Sequence, residues 1–283
     1  MRVIFLDFQH LNNIVIILIY QIQNCGPEFD PTLDPEFGYI FDETLRYSIL
    51  NPIRKTTPFI DKSKFIFCMD CPRKNIWRRD FYPEYKLTRD LKDNSKDKFN
   101  ISRMFKYAYE ILLPNICEDF SATKVMCGCA EGDDVIAVLT KYFLDNTNED
   151  IVIISCDKDM VQLYRDRVSI ITVEGNTRDP KTELESKLKI KLDNDITAGD
   201  FLLFKILIGD SADNIPNIKS GIGPKKAWKY IEDRNLLKQL LKEDITIADS
   251  FKRNKRLIAM SEIPQEIHTL VLEEYQQQKA KYL

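Results

Sequence analysis

The stretch from Ile151 to Asp159, Ile-Val-Ile-Ile-Ser-Cys-Asp-Lys-Asp, is an apolar run that ends in two closely spaced aspartates. A short, continuous apolar run of this kind predicts a strand that is buried on both faces. The same pattern recurs at Val3–Phe8, which contains Asp7, and at Lys64–Met69, which is followed by Asp70. A fourth strand is predicted at Val168–Val173, and the patterns at Asn12–Gln23 and Glu131–Leu144 are helical. Because helical patterns separate the strands, the sequence predicts an α/β fold with a mainly parallel central sheet flanked by helices.

The aspartates at the ends of these strands are expected to meet. Ligands of open α/β sheets bind outside the carboxyl ends of the strands. Asp7, Asp70 and the Asp157–Asp159 pair are therefore predicted to converge in one crevice. Further acids stand three residues apart, namely Glu131 and Asp134, with Asp133 adjacent, and Asp210 and Asp213.

Packed carboxylates repel one another unless a cation neutralises them. Oxygen ligands with few histidines nearby favour Mg²⁺, with Mn²⁺ as an alternative, over zinc. Two such ions would suit phosphodiester hydrolysis. Taken singly, the motifs have plainer interpretations: Asp133 and Asp134 could complement a helix dipole, and Asp157 and Asp159 could form a polar turn. Their joint occurrence favours a metal site.

Charge and composition limit the class of protein. The chain has 283 residues and a net charge of −3, so its overall charge does not indicate nucleic-acid binding. Basic residues are nevertheless crowded into two segments, one with Arg73, Lys74, Arg78, Arg79, Lys86, Arg89 and Lys92, the other with Lys219, Lys225, Lys226 and Lys229. The longest apolar run, Ile14–Tyr20, is shorter than the roughly 20 residues of a membrane span. We therefore expect a soluble, intracellular protein without a membrane partner.

The cysteines leave one alternative open. Cys68 and Cys71 are spaced like one half of a zinc site, and Cys127 and Cys129 could supply the other half. Cysteine is also a common small buried residue, and Cys68 lies in a predicted strand. The sequence does not decide between these interpretations.

Two neighbouring motifs resemble the signature of the flap-endonuclease family. They are Gly209-Asp-Ser-Ala-Asp-Asn-Ile-Pro216 and Gly221-Ile-Gly-Pro-Lys-Lys-Ala227. That family includes the 5′-nuclease domain of bacterial DNA polymerase I and phage 5′-exonucleases. The stretch Trp77-Arg-Arg-Asp-Phe-Tyr-Pro-Glu-Tyr-Lys-Leu-Thr-Arg89 is most similar to the phage ribonuclease H branch, which implies a viral origin. The resemblance covers about residues 3–235.

The resemblance implies two metal clusters and a helical arch. The first cluster matches Asp7, Asp70, Glu131 and Asp133, with Asp134 as an additional ligand; the second matches Asp157, Asp159, Asp210 and Asp213. The arch corresponds to about residues 72–106, and on it Lys86 and Arg89 match catalytic residues that steer the scissile phosphate. Fixed positive charge at that place would offset the charge that develops on the phosphate.

The second implied element is a helix-hairpin-helix at about residues 200–240 that binds the duplex backbone. Gly221 and Gly223 would let backbone N–H groups approach phosphates, and Lys225 and Lys226 would add charge. In the family a K⁺ ion often lies in this hairpin.

Several residues near the arch have two interpretations. Arg78 and Arg79 could contact phosphates or lie on a solvated helix face. Trp77, Tyr82 and Tyr85 could stack on unpaired bases, or pack the arch onto the body of the protein.

We therefore expect a single domain over residues 1–283 that cuts DNA at 5′ flaps or ends in replication, repair or recombination. A 5′→3′ exonuclease or primer-removing ribonuclease H acting on RNA–DNA hybrids, and a non-catalytic DNA-binding scaffold, are the alternatives. A monomer in the host cytoplasm or nucleus is expected. The carboxyl terminus lacks the aromatic pair of a clamp-binding peptide, so a sliding-clamp partner is not supported.

Overall fold

The structure is a computed structural model that describes residues 2–7, 63–93 and 108–280, with a few positions between 39 and 54. The predicted helix at Asn12–Gln23 and the part of the predicted arch at residues 94–107 lie outside the described residues. Among the described residues, no helix has both the length and the apolar character that a membrane crossing requires.

One mainly parallel sheet forms the centre of the molecule. Its strands are β1 (Arg2–Asp7), β2 (Ser63–Met69), β3 (Thr123–Met126), β4 (Asp150–Ile154), β5 (Val168–Ile171) and β6 (Thr177–Arg178). They lie in the order β3-β2-β1-β4-β5-β6, and only the β5–β6 pair is antiparallel. The predicted mainly parallel α/β fold is confirmed.

The strand order reverses at β1, and this determines where the site lies. From β1 the chain builds β2 and β3 on one side, and it then returns to build β4 on the other side. The crevice at such a reversal is where open α/β sheets bind ligands. Asp7 ends β1, Asp70 follows β2, and Asp157 follows β4, so three predicted ligands reach the same crevice from adjacent strands.

Helices cover the sheet. They are α1 (Arg78–Phe81), α2 (Leu87–Asp93), α3 (Leu113–Asp119), α4 (Gly132–Asn146), α5 (Pro180–Leu188), α6 (Ala198–Ile208), α7 (Pro224–Glu232), α8 (Arg234–Glu243), α9 (Ile245–Ile258) and α10 (Gln265–Ala280). A π-helical turn at Ala108–Leu112 leads into α3. The predicted helix at Glu131–Leu144 matches α4, whose buried residues include Val135, Val138 and Leu139.

The helices after residue 240, for which the sequence offers no family resemblance, complete the core. Helix α10 packs along β3 and α4 through Ile267, Val271 and Tyr275, all buried. The ring of Tyr275 lies 5.7 Å from that of Phe143 on α4. The end of α9 reaches the carboxyl edge of the sheet, where Leu257 and Ile258 line the crevice.

Candidate active site

Eight of the nine predicted metal-ligating carboxylates line one cavity at the carboxyl edge of the sheet. They are Asp7, Asp70, Glu131, Asp133, Asp157, Asp159, Asp210 and Asp213. Lys86, Arg78 and Tyr85 also line this cavity, and the apolar part of its wall includes Leu257, Ile258 and Met260. Convergence of residues this far apart in the sequence follows from the strand order.

Hydrogen bonds from the surrounding elements orient the first cluster. Ser155 Oγ donates to Asp7 at 2.6 Å, and the backbone N–H of Gly132 donates to Asp70 at 2.6 Å. Glu131 is the N-cap of α4 and accepts a hydrogen bond from Tyr85 Oη at 2.9 Å. The ammonium group of Lys86 also binds Glu131. These carboxylates are therefore fixed by the fold without a metal ion.

Asp134 and Arg78 form a buried ion pair that the sequence does not predict. Asp134 is fully buried, and both of its oxygens bind the guanidinium of Arg78, at 2.8 and 2.7 Å. Trp77 Nε1 donates to the same carboxylate at 2.9 Å. Although Glu131, Asp133 and Asp134 have oxygens within 4.8 Å of one another, the oxygens of Asp134 are already occupied. The structure thus gives Asp134 a buried ion pair with Arg78, and its role as an additional metal ligand stays a prediction.

Arg78 is buried at the wall of the carboxylate cavity. It is 2% exposed and also binds Glu131 at 3.0 Å and the backbone oxygen of Leu257 at 2.8 Å. This burial contradicts the solvated helix face considered for Arg78, whose guanidinium is the counter-ion of Glu131 and Asp134. A phosphate contact by Arg78 stays a prediction. Arg79 is partly exposed and binds Asp90 at 2.6 Å, so its contact with DNA stays a prediction.

The second cluster contains a cation that the sequence did not indicate. The carboxylate of Asp157 accepts a hydrogen bond from the backbone N–H of Asp159 at 2.7 Å, which holds the turn after β4. Lys205 on α6 lies 2.9 Å from Asp159 and 2.6 Å from Asp210. In the sequence Lys205 is a lysine within the apolar run Phe201–Ile208. Its spacing of five residues from Asp210 was the only available signal.

The charges in the cavity favour a divalent ion. Burial raises the pKa of Asp70, Asp133 and Asp213, and it raises the pKa of Asp159 to about 6. Burial opposes ionisation of Glu131 as well, but Lys86 and Arg78 outweigh it and lower the pKa of that carboxyl. The protein's own cations thus compensate part of the set only. In addition, the buried Asp159 Oδ1 faces the ammonium of Lys205 at 2.9 Å without a well-aligned hydrogen bond from the described residues. Hard oxygen donors with uncompensated charge fit Mg²⁺ or Mn²⁺.

Lys86 and Arg89, the two predicted catalytic residues, lie against the acidic cavity. Lys86 has a left-handed backbone with a φ of 57°, and its N–H donates to the backbone oxygen of Asp213 at 3.0 Å. Arg89 binds the Asp213 carboxylate at 2.5 Å. Trp77 and Tyr85 are 7% and 3% exposed, which favours their packing interpretation over base stacking.

The predicted hairpin connects α6 and α7. Gly221 has a φ of 80°, a conformation that suits glycine, and Gly223 caps α7. Lys225 and Lys226 are exposed in the first turn of α7. Ile218 and Ile222 are buried and anchor the loop to the core. The backbone and the two lysines therefore face solvent, and their contact with DNA stays a prediction.

The cysteines do not assemble a zinc site in the part of the chain that the structure describes. Cys127 and Cys129 have their sulfurs 3.7 Å apart, but no group of three metal-ligating side chains there includes a cysteine. Cys68 and Cys71 are buried, and burial raises the pKa of both thiols. The packing interpretation therefore accounts for these residues.

The fold and the site together define a class of protein: an α/β protein with a carboxylate-lined crevice that suits divalent cations. The family described as "5′-3′ exonuclease, N-terminal resolvase-like domain" matches residues 43–190, just over half of the chain. The chain belongs to this family.

Known proteins that resemble the chain agree with this assignment. DNA polymerase I of Caldicellulosiruptor bescii is 34% identical over 164 residues, which are 58% of this chain and 18% of that protein. A 5′-3′ exonuclease of Buchnera aphidicola is 30% identical over 180 residues, 64% of this chain and 56% of that protein. The chain thus spans less than two thirds of these relatives.

Among solved structures, T5 5′-exonuclease with bound zinc ions has a TM-score of 0.67 and 16% sequence identity, covering 99% of this chain and 100% of that one. At this identity the likeness shows the fold alone.

Proposed function

We propose that this chain is a structure-specific 5′-nuclease that hydrolyses DNA phosphodiesters near 5′ flaps and ends. The observation that carries the proposal is the convergence of eight carboxylates in one cavity, with Lys86 and Arg89 beside it. Family membership and relatives named as 5′-3′ exonuclease and DNA polymerase I support the same activity, in replication or repair.

The carboxylates divide into two groups that would each hold one divalent ion. Asp7, Asp70, Glu131 and Asp133 form the first, and Asp157, Asp159, Asp210 and Asp213 the second. We propose Mg²⁺ as the ion, with Mn²⁺ as an alternative, because every ligand is a carboxylate oxygen. When bound, such ions activate water and stabilise the leaving oxygen.

Lys86 and Arg89 are the residues that would bind the substrate phosphate next to these carboxylates. Lys86 and Arg89 lie at the cavity with their positive charge held by Glu131 and Asp213. A phosphate of the substrate could take the place of these carboxylates as their partner. Their fixed charge would then offset the charge that develops on the scissile phosphate.

The hairpin between α6 and α7 is the proposed binding site for the DNA duplex next to the cleavage site. Exposed N–H groups around Gly221 and Gly223, together with Lys225 and Lys226, suit a phosphate backbone rather than base edges. We propose that K⁺ binds in this hairpin. We also propose that the protein acts as a monomer and a single domain inside the cell.

Cleavage of end-labelled substrates tests the proposal. Flap, nicked and RNA–DNA substrates labelled at the 5′ end are incubated with wild type, Asp157→Ala and a control, Asp193→Ala, which changes an exposed aspartate. We expect Asp157→Ala to lose nearly all cleavage and to keep duplex binding, while the control cuts like wild type.

The substrates also separate the alternatives. Equal cleavage by wild type and Asp157→Ala would refute the metal assignment. A wild type that binds flaps without cutting any substrate would make the chain a DNA-binding scaffold, and a preference for the RNA–DNA substrate would make it a primer-removing ribonuclease.

A further inference from the structure

Lys205 places its ammonium group between two carboxylates of the second cluster. The nitrogen lies 2.6 Å from Asp210 Oδ2 and 2.9 Å from Asp159 Oδ1. The side chain is 12% exposed, so water screens this charge weakly. The amine thus stands where any cation shared by Asp159 and Asp210 would have to bind.

The position of Lys205 is set by a rigid element. Lys205 lies in α6, and Phe204 and Ile206 on either side of it are buried in the core. The carbonyl oxygen of Lys205 accepts a hydrogen bond from the backbone N–H of Gly209, which leads into Asp210. Gly209 has a φ of 69°, and the backbone oxygens of Ile215 and Pro216 occupy the space that a Cβ would need. Lysine and carboxylate are therefore held in register by the backbone.

One ammonium does not satisfy this pair. Lys205 donates a well-directed hydrogen bond to Asp210, whereas it meets the buried Asp159 Oδ1 as an ion pair at 2.9 Å with poorer alignment. A lysine also supplies a single positive charge where a divalent ion supplies two. The ion pairs therefore hold the two aspartates together without metal. A divalent ion in place of the amine would interact more favourably with the two carboxylates.

We propose that Lys205 is an internal counter-ion of the second cluster, which keeps Asp159 and Asp210 together without metal and competes with a divalent ion for them. The inference rests on the proposed metal-dependent function. Lys205 is a positioning residue in this scheme, because it acts through the two aspartates. Two cations that share ligands are thermodynamically linked, so removal of one raises the affinity for the other.

Mn²⁺ binding without DNA tests the competition. Free Mn²⁺ is followed by electron paramagnetic resonance during titration of wild type, Lys205→Met and a control, Lys187→Met, which changes an exposed lysine near the same loop. We expect Lys205→Met to tighten one Mn²⁺ site by about fivefold or more, a typical coupling between linked sites. The control should match wild type.

Two further measurements keep the test decisive. In chelator, Lys205→Met should have a lower melting temperature than wild type, and Mn²⁺ should narrow the gap. If that variant fails to fold, Lys205→Gln keeps a hydrogen-bond donor without the charge and should also bind Mn²⁺ more tightly. Adding Asp157→Ala should remove the tighter site, which assigns it to the second cluster.

The outcomes separate this inference from the proposed function. Identical Mn²⁺ titrations in wild type, Lys205→Met and Lys205→Gln overturn the competition and leave the nuclease proposal intact. A wild type that binds two Mn²⁺ ions but cuts no DNA refutes the nuclease proposal and leaves the competition standing. A wild type that binds no Mn²⁺ overturns both.

Discussion

Arg78 and Arg79 are neighbours in sequence with opposite surroundings. Arg78 is the buried counter-ion of Glu131 and Asp134, whereas Arg79 is partly exposed and pairs with Asp90. We predict that Arg78→Met lowers the free energy of unfolding by about 3–5 kcal/mol, because it leaves buried carboxylates without their partner. Arg79→Met, the matched control, should cost less than about 1 kcal/mol. Urea denaturation measures both, and equal effects would contradict the buried role of Arg78.

A second residue-level prediction concerns pH. Burial, with a contribution from Asp157, raises the pKa of Asp159 from 3.8 to about 6, despite the opposing effect of Lys205. The folded, metal-free protein therefore binds this proton more tightly than the unfolded chain does. The resulting stabilisation is fully present below about pH 4 and is lost as the pH rises through about 6. Asp159→Asn should accordingly gain stability relative to wild type between these pH values, as thermal melts in chelator would show.

Mg²⁺ provides the control for this pH effect. A bound divalent ion keeps the carboxylate ionised, so the wild type should lose its preference for acidic pH when the ion is added. A difference between wild type and Asp159→Asn that does not change with pH would contradict the raised pKa.

Site residues could be predicted from the sequence where they follow a strand that could itself be predicted. Asp7, Asp70 and Asp157 stand at the ends of buried apolar runs, and the sheet brings them together. The ion pair between Asp134 and Arg78 was not predicted, because spacing along a helix shows which residues share a face, not what covers that face. Lys205 could not be recognised from the sequence, since its role depends on how α6 packs beside the turn Lys158–Leu163 that follows β4.

At the scale of elements, the hairpin between α6 and α7 is the proposed contact with duplex DNA. Lys225→Ala with Lys226→Ala should weaken binding and reduce the slope of log affinity against log salt by about 1.8, since each lost phosphate contact contributes roughly 0.9. Cleavage at saturating enzyme should change little, because neither lysine lines the carboxylate cavity. Binding titrations at several salt concentrations measure the slope.

The control for the hairpin uses lysines that are already paired. Lys141 binds Asp145 at 2.6 Å and Lys191 binds Glu185 at 2.9 Å, both at the surface. Their double alanine variant should leave the salt slope unchanged. A hairpin variant with the wild-type slope would place the duplex elsewhere.

Long apolar strands and the amphipathic α4 were predicted correctly because burial leaves a clear pattern in the sequence. The two remaining strands were missed for a physical reason. β3, Thr-Lys-Val-Met, has one buried residue, and β6 has two residues in all. Such strands are stabilised by neighbours in the sheet rather than by their own composition.

At the scale of the whole molecule, α10 stabilises the fold although it does not line the carboxylate cavity. Ile267 is buried where this helix joins the core, and it does not line the carboxylate cavity. Ile267→Ala should lower the free energy of unfolding by about 2–5 kcal/mol through loss of packing. Cleavage per folded molecule should be unchanged. Denaturation and active-site titration together test this, and a specific loss of turnover would link α10 to the chemistry.

The cavity draws on nearly the full described length of the chain, from Asp7 on β1 to Met260 beyond α9. Its acids stand on both sides of the reversal at β1, and its apolar wall comes last in the sequence. During synthesis on the ribosome, the first carboxylates emerge long before the residues that enclose them. A growing chain therefore has no complete cavity until residue 260 has left the exit tunnel. Under the proposed function, a product terminated before that residue would not cut the nucleic acids of the cell that makes it.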